Sequence, residues 1–351
     1  MDPMVSSRAV LGMVALGVGV LTAPGLDGLH AQDSPPILIT GSSTVGPITT
    51  LAIEGFRSTD EGRKVRFAPV VESGTSAGFR DFCSGKTPIS NASRPISQTE
   101  LKRCTARGIK FYELPIAFDA ITVVVNPANK WAKTISVSEL KRLWSRPAQG
   151  TIKRWNQVSL DWPGKPIVLY GPGADSGTFD TFNQAINGGK GNSRSDYISS
   201  ENDNVLVQGV ASNADALGYF GYAYYAANQS KLRALPVEGN NGPVMPSIES
   251  VQNGSYSPLS RPIFVYVNAK SLKDNPSIRA FVRYYLNNAT QLVQKEGSIP
   301  LTKSQYLVVK SKMLKQVQGT AFGGKIPVGL TISELLNRNI DQTIKRPEFH
   351  Q

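Results

Sequence analysis

Serine, threonine and glycine cluster at three points of the chain, and each cluster follows an apolar run. The clusters span residues 41–45, 72–78 and 171–179, and a helix-like pattern comes after each one. A turn that opens a helix directs backbone N–H groups and hydroxyls toward one point, where the helix dipole adds partial positive charge. One such turn is weak evidence, because Gly/Ser/Thr turns commonly connect a strand to a helix. Three of them, if they converge on one cleft, would form a desolvated binding site for an anion.

Arg94 offers a cation for the same anion. It lies in the polar segment 90–95, which follows a short strand-like stretch. Pro95 disfavours a helical backbone at Arg94, so the chain stays extended there. The planar guanidinium can donate two parallel N–H groups to an oxyanion. The alternative interpretation is a solvent-facing arginine near the start of the next helix.

Strand-like and helix-like stretches alternate around these turns. Strands are expected at residues 37–40, 64–71, 88–91, 109–115, 166–170 and 216–220, and helices at 45–58, 76–83, 97–106, 136–144, 202–211, 275–288, 303–317 and 331–338. This alternation predicts an α/β protein with a parallel sheet and helices on both faces. Ligands of such sheets bind beyond the carboxyl ends of the strands, which is where the glycine turns fall.

Two apolar segments look like a matched pair. Residues 119–126 and 261–268 are both β-branched runs that end in Asn, and a domain-sized segment lies between them. If the chain leaves the first sheet through one and returns through the other, the middle segment is an inserted second domain and the two strands form a hinge. The alternative is that both are ordinary core strands.

The composition excludes several classes of function. The chain has 351 residues but only two histidines, His30 and His350. Hydrolysis by a Ser–His or Cys–His pair and a histidine-based zinc or iron site are therefore not expected. The 38 Lys and Arg residues against 26 Asp and Glu residues give a net charge of +12. These cations are scattered in short groups, which favours a general anion-attracting field over a polybasic tail.

The N-terminus is typical of an exported protein. Arg8 precedes an apolar stretch, residues 9–23, that contains no acidic residue, so residues 1–31 are predicted to be a secretory signal peptide. An uncleaved N-terminal anchor is the alternative. In an exported protein the two cysteines, Cys83 and Cys104, predict a disulfide. Two buried free thiols are the alternative to that disulfide.

Five short motifs resemble, in order and spacing, the phosphate-binding protein PstS of phosphate ABC transporters, and above all the periplasmic PstS-like group of cyanobacteria and related bacteria. The motifs are residues 40–45, 74–79, 91–96, 123–127 and 174–179. This resemblance implies an α/β, two-lobed periplasmic binding protein fold of type II with a two-strand hinge. Lobe I would comprise residues 32–118 and 268–351, and the inserted lobe II would comprise residues 119–267.

The resemblance also implies that inorganic phosphate is held between the lobes, without a cofactor or a metal. The protein would be a periplasmic monomer that delivers phosphate to the membrane permease of the transporter. Residues at the positions of the family's phosphate contacts carry hydroxyl or backbone N–H donors. They are Ser43, Thr44, Val45, Thr75, Ser76, Ser176, Gly177 and Thr178.

Two charged positions depart from the family's pattern. Well-studied members have an aspartate where this chain has Arg94, and an arginine where it has Pro172 or Gly173. The charges are therefore expected to be exchanged, with Arg94 as the cation and Asp175 as the carboxylate. Monohydrogen phosphate carries a proton that sulfate lacks, and a buried carboxylate would accept its hydrogen bond and repel sulfate. Asp175 is the first candidate for this acceptor, and Asp119 is the second.

Other functions remain as alternatives to phosphate capture. The scaffold could bind another oxyanion, such as sulfate, molybdate or phosphonate, or serve as a surface adhesin. Residues 175–178 match the Asp-Ser/Thr-Gly signature of aspartic proteases, but the chain lacks the second copy that a shared proton requires. A phosphatase would need a metal cluster or a covalent nucleophile. The protein is therefore not expected to be an enzyme, and no nucleic-acid partner is expected.

Overall fold

The computed structural model describes residues 35–239, 242–329 and 334–335. In chain order, the strands are β1 (Ile39–Gly41), β2 (Ile89–Ala92), β3 (Phe111–Val125), β4 (Ile135–Ser136), β5 (Val168–Pro172), β6 (Ile198–Ser200), β7 (Ala216–Gly221), β8 (Arg233–Ala234), β9 (Val237–Gly239), β10 (Gly242–Val244), β11 (Ser260–Asn268) and β12 (Ile299–Pro300). The helices are α1 (Gly46–Arg57), α2 (Thr75–Cys83), α3 (Gln98–Ala106), α4 (Val137–Trp144), α5 (Gly177–Asn187), α6 (Asp203–Ser212), α7 (Tyr222–Ala226), α8 (Ile248–Gln252), α9 (Ala269–Asp274), α10 (Pro276–Glu296) and α11 (Lys303–Leu314). The expected leader, residues 1–31, and most of the expected helix at 331–338 lie outside the described residues. Among the described helices, none has both the length and the apolar character that a membrane crossing requires.

One mixed sheet runs through the molecule in the strand order β1-β2-β11-β3-β7-β5-β6. The pairs β1–β2, β5–β6 and β5–β7 are parallel, whereas β11 is antiparallel to both β2 and β3, and β3 is antiparallel to β7. The expected parallel sheet is therefore wrong at its centre. The reason is that the chain goes out along β3 and returns along the adjacent β11, so these two strands must run in opposite directions.

β3 joins two halves of the molecule. Its N-terminal part pairs with β11, and its last five residues, from Ile121 to Val125, pair with β7. We call β1, β2, β11 and the start of β3, with the helices α1, α2, α3, α10 and α11 around them, the first half. The second half comprises β5, β6 and β7 with α4, α5 and α6. The chain passes from the first half into the second along β3 and returns at the start of β11, which lies beside β3.

The sequence predicts a strand at residues 109–115 and a separate one at 119–126, but β3 is one continuous, buried strand that contains Pro115. Proline has no N–H for the sheet, and a register shift in the partner strand, between Ile263 and Phe264, lies opposite this position. A second difference is the expected strand at residues 64–71, which forms only isolated bridges at Phe67 and Val71.

The first half is tied together by aromatic packing and by one covalent bond. The rings of Phe82 and Phe111 pack against the ring of Tyr266, with centroids 6.4 and 5.5 Å away. Cys83 at the end of α2 and Cys104 in α3 form a disulfide, which confirms the prediction. The disulfide therefore ties α2, which begins at the second predicted turn, to α3.

Candidate anion-binding site

The first predicted turn lies between β1 and α1. Gly41 has φ +133°, and a Cβ there would lie 2.1 Å from the Asn91 carbonyl oxygen, so only glycine fits the start of the turn. The Ser42 carbonyl oxygen accepts from the Val45 N–H at 3.2 Å. The predicted donor Val45 is thus used within the turn. The Thr44 hydroxyl points to the second half, where it lies 3.5 Å from that of Thr178.

The second turn is joined to the segment that follows β2. Thr75 is the first residue of α2, where backbone N–H groups have no acceptor within the helix. Its Oγ1 accepts from the Ser93 N–H at 3.1 Å and lies 3.2 Å from the Ser93 hydroxyl. The sequence does not single out Ser93, although a serine in a polar segment after a strand is the same signal as at the other turns.

The third turn reaches across the cleft between the halves. Ser176 caps α5 by accepting from the Thr178 N–H at 3.0 Å. A Cβ on Gly177 would lie 2.5 Å from the Ser93 hydroxyl and 2.6 Å from the Thr75 hydroxyl. Only glycine allows this close approach, so turns from both halves meet at one point.

Arg261 of β11 places a buried cation where the first and third turns meet. Its side chain is 2% exposed. Nε and Nη2 donate to Asp119 Oδ2 at 3.1 and 2.8 Å, and Nη2 also donates to the hydroxyls of Thr178 and Thr44, at 2.8 and 3.3 Å. Within the described part of the chain, Arg261 Nη1 has no hydrogen-bond partner. A buried guanidinium N–H without an acceptor is costly, so the site suits an anion. We call these four residues the Arg261 junction.

Asp119, the second predicted acceptor, belongs to this junction. It is fully buried on β3, directly opposite Arg261 on β11, and its Oδ1 accepts from the Tyr222 N–H at 2.9 Å. The sequence predicts the two strands as a hinge but does not predict a role for Arg261. A signal was nevertheless present in the sequence. Arg261 and Asp119 each begin one of the two matched apolar segments, and this pairing of opposite charges could have indicated the role of Arg261.

Arg94 has no donor left for an anion. Its guanidinium is 1% exposed, and Nε donates to Asp180 Oδ2 at 2.6 Å. Nη1 and Nη2 donate to the two carboxylate oxygens of Glu100, at 2.7 and 2.8 Å. The remaining two N–H groups donate to the Pro95 carbonyl oxygen at 3.0 Å and to the Ser76 hydroxyl at 2.9 Å. All five N–H groups are used, so the predicted role of Arg94 as the ligand's cation does not fit the structure.

Arg94, Glu100 and Asp180 instead form a cross-cleft ion cluster, which we call the Arg94 brace. Glu100 belongs to α3 in the first half and Asp180 to α5 in the second half. Burial opposes ionisation of Glu100, but the hydrogen bonds and charge of Arg94 hold its pKa below the ordinary value. The Lys190 ammonium, 3.4 Å from Asp180 Oδ1, adds a second cation. The charges of the brace are therefore balanced by the protein itself.

Asp175 faces the outside of the cleft. Its carboxylate accepts from both terminal nitrogens of Arg80, at 2.6 and 2.7 Å, and the side chains of Asp175 and Arg80 are 37% and 51% exposed. The hydrogen bond from Arg80 holds the pKa of Asp175 below its ordinary value. The Asp175 carbonyl oxygen accepts the N–H of Ser76, another predicted contact, at 2.9 Å. A part-exposed carboxylate with its own arginine does not fit the predicted role of acceptor for a buried anion.

A carboxylate that the sequence does not single out lies behind the first turn. Asp203 begins α6, is buried, and accepts from the hydroxyl of the predicted contact Ser43 at 2.8 Å. Burial raises the pKa of Asp203 to about 7. No local pattern reveals this bond, because 160 positions separate the two residues.

The amino-acid sequence of this chain is similar to those of known proteins. The PBP superfamily domain matches residues 28–289. Protein SphX of Synechocystis sp. is 47% identical, over 95% of this chain and 96% of its own length. The phosphate-binding protein PstS of Staphylococcus saprophyticus is 36% identical, over 87% of this chain and 93% of its own length.

Solved structures are similar as well. A protein of Planctomyces limnophilus, described as a possible phosphate binding protein, has a TM-score of 0.60 at 38% identity, over 80% of this chain and 98% of its own. A Clostridium perfringens protein is described as a phosphate ABC transporter substrate-binding protein and was solved with bound phosphate. It has a TM-score of 0.64 at 25% identity, over 76% of this chain and 100% of its own. The chain therefore belongs to the PBP superfamily and, within it, to the family of the SphX and PstS proteins.

Proposed function

We propose that the protein captures inorganic phosphate between its two halves and delivers it to a phosphate ABC transporter. The observation that carries this proposal is the buried guanidinium of Arg261, whose Nη1 finds no acceptor among the described residues at the point where donor-rich turns meet. The PstS relative, and the substrate-binding protein solved with phosphate, support phosphate as the anion.

The donor set suits a compact oxyanion. The hydroxyls of Thr44, Thr75 and Thr178 are buried at the meeting point. Thr75 and Gly177, the first residues of α2 and α5, lie against each other there, so the positive ends of both helix dipoles are at the meeting point. Charge-assisted hydrogen bonds contribute about 1.5–3 kcal/mol each, and micromolar binding needs about 8 kcal/mol. A handful of such bonds exceeds that requirement before the costs of association and closure are subtracted.

We further infer that a buried carboxylate accepts the proton of monohydrogen phosphate. Asp119 and Asp203 are both buried beside the bound position, whereas Asp175 is not. Asp119 is the better candidate because it shares Arg261 Nη2 with the Thr178 hydroxyl, which places it within the junction. Sulfate has no proton to offer, so it would meet this carboxylate as one acceptor against another.

The proposal includes the predicted lobes, with residues 32–118 and 268–351 in one and residues 119–267 in the other. The side-by-side crossing of β3 and β11 supports a hinge between them. It also includes export through the N-terminal leader, a monomeric state, and a binding role in place of an enzymatic one. A receptor of this kind would close its lobes on phosphate and present the closed form to the membrane permease.

Isothermal titration of the full chain with phosphate and with sulfate tests the proposal. We expect one phosphate per chain, with a dissociation constant in the micromolar range or below, and sulfate binding that is weaker by at least about a hundredfold. Equal affinity for sulfate, or tighter binding of molybdate or phosphonate, would identify a different oxyanion as the ligand. Incubation with a phosphomonoester completes the test, because turnover would show an enzyme.

A further inference from the structure

A second concave surface lies on the first half of the molecule. A groove of about 690 Å³ opens between α9, α10 and α11. Tyr112, at the start of β3, lines this groove, and Asp119 of the Arg261 junction lies seven positions later on the same strand. At about 3.3 Å per residue, the two places are roughly 23 Å apart. The groove is therefore separate from the site proposed for phosphate.

The floor of the groove is apolar. Tyr112, Leu272 and Leu286 are buried beneath it, and Met313 is partly buried. Leu314 continues this floor to the rim, where it is 84% exposed. Small-molecule sites are clefts of about 300–1,000 Å³ with mostly apolar walls and a few charged groups, whereas protein partners need a broad contact area of about 800 Å² on each side. The shape thus suits a small molecule with an apolar body.

The rim of the groove carries charge of one sign. Lys273, Arg279, Arg283 and Lys310 line it, and none of its thirteen described lining residues is Asp or Glu. Arg279 donates to backbone carbonyl oxygens at the end of α9, and Arg283 pairs with Glu61 at 3.0 Å. Lys273 and Lys310 are therefore the cations best placed to meet the negative charge of a ligand.

We propose that this groove binds a single-chain anionic amphiphile, of which a fatty-acid carboxylate is the simplest. Its chain covers Leu272, Leu286 and Leu314, and its head group pairs with Lys310 and Lys273. A bare inorganic anion would leave the exposed Leu314 and the partly buried Met313 in water, and a neutral lipid would leave the cations without a counter-charge. An amphiphile with one negative end satisfies both features of the groove.

The test is a calorimetric titration of the phosphate-saturated full chain with dodecanoate below its micelle concentration. We expect one dodecanoate per chain, with an affinity that falls at least about tenfold in Leu314→Gln and in Lys310→Gln, and that weakens as salt screens the head group. The matched control is Leu307→Gln, because Leu307 is on the same helix and is 64% exposed but does not line the groove. This control should bind dodecanoate as the unmodified protein does.

Three outcomes would overturn the proposal. Dodecanoate affinity could be the same in Leu314→Gln and Lys310→Gln as in the unmodified chain. The neutral detergent dodecyl maltoside could bind as tightly as dodecanoate, or an acidic leucine-containing peptide could bind more tightly, which would assign the groove to a protein partner. Both substitutions lie on the surface of α11, so unchanged phosphate titrations serve as the check that each variant is folded and keep this test separate from that of phosphate capture.

Discussion

Two buried arginines in the cleft have nearly the same exposure but different surroundings. Arg261 is 2% exposed and pairs with one carboxylate, Asp119, whereas Arg94 is 1% exposed and pairs with two, Glu100 and Asp180. Both N–H groups of Arg261 Nη1 lack an acceptor among the described residues, whereas every N–H of Arg94 has a protein acceptor. A buried cation therefore indicates an anion site only when the protein leaves part of its charge and hydrogen bonding unsatisfied.

The Arg261 junction and the Arg94 brace also differ in which elements of the two halves they connect. The Arg261 junction is anchored by the ion pair between the neighbouring strands β3 and β11, and its two threonines come one from each half. The Arg94 brace joins α3 of the first half to α5 of the second half, so the bond from Arg94 to Asp180 exists only when the halves are together. We therefore expect the junction to govern ligand affinity and the brace to govern closure and stability. Four substitutions, ordered by the size of the expected effect, test this division.

Arg261→Gln should have the largest effect on binding. It removes the donor proposed to face the anion and leaves Asp119 buried without its cation. Truncating one partner of such a pair costs about 2–5 kcal/mol, so phosphate affinity should fall by roughly a hundredfold or more in isothermal titration. Arg261→Lys keeps the charge but loses the planar guanidinium, so its phosphate affinity should lie between that of Arg261→Gln and that of the unmodified protein. Binding within threefold of the unmodified protein, in folded Arg261→Gln, would place the anion site elsewhere.

Arg94→Gln should act mainly on stability. It leaves Glu100 and Asp180 buried without their shared cation, and breaking a buried ion pair costs about 3–5 kcal/mol. Phosphate affinity should fall only about tenfold or less, because closure is weakened but no ligand donor is lost. Urea denaturation and phosphate titration of the same preparation measure the two effects. A hundredfold loss of affinity with unchanged stability would return Arg94 to the role of ligand cation.

Asp203→Asn should change how stability depends on pH. Asp203 has a pKa raised to about 7 in the native state, against about 3.9 in an unfolded chain. The native state therefore binds more protons between these values, and the free energy of unfolding falls as pH rises from about 4 to 7. At about 1.4 kcal/mol per pKa unit, Asp203→Asn should reduce this fall by an amount on the order of a few kcal/mol.

Part of the pH dependence should remain in this variant, because burial also raises the pKa of Glu201 and of Glu296 to about 7. Urea denaturation at pH 5 and at pH 8 measures the difference. Identical pH dependence in the variant and the unmodified protein would show that Asp203 is ionised throughout this range in the native state.

Asp175→Asn should have the smallest effect. Its bond to Arg80 is a part-exposed ion pair, and such pairs contribute about 0–1 kcal/mol. Phosphate affinity should stay within about threefold, and the preference for phosphate over sulfate should not change. Competition titrations with both anions measure this, and Asp119→Asn is the comparison in which that preference should be lost. A loss of preference in Asp175→Asn would make Asp175 the proton acceptor after all.

Features that depend on neighbours in the chain could be predicted from the sequence. The helix predicted at residues 97–106 begins where Ser97 and Glu100 form a capping box. The glycines of the predicted turns allow conformations and close approaches that a side chain would block, as at Gly41 and Gly177. These residue types direct hydroxyls and N–H groups toward a common point once the halves are assembled.

The hydrogen-bond partners of the buried charged residues could not be predicted, because they come from distant parts of the chain. The bond between Arg94 and Asp180 spans 86 positions, that between Arg261 and Asp119 spans 142, and that between Ser43 and Asp203 spans 160. Arg94 lies in a turn that predicts an anion contact, but whether a guanidinium has a donor to spare depends on how many acceptors surround it.

By itself, the sequence indicated the turns and the matched strands through residue type and local spacing, and it indicated the disulfide because an exported chain with only two cysteines is expected to pair them. Only the tertiary structure decided which arginine and which carboxylate meet where the turns converge. The physical reason is that charge and hydrogen bonding in a buried site are set by the sum of all neighbours, and folding brings those neighbours from separate halves of the chain.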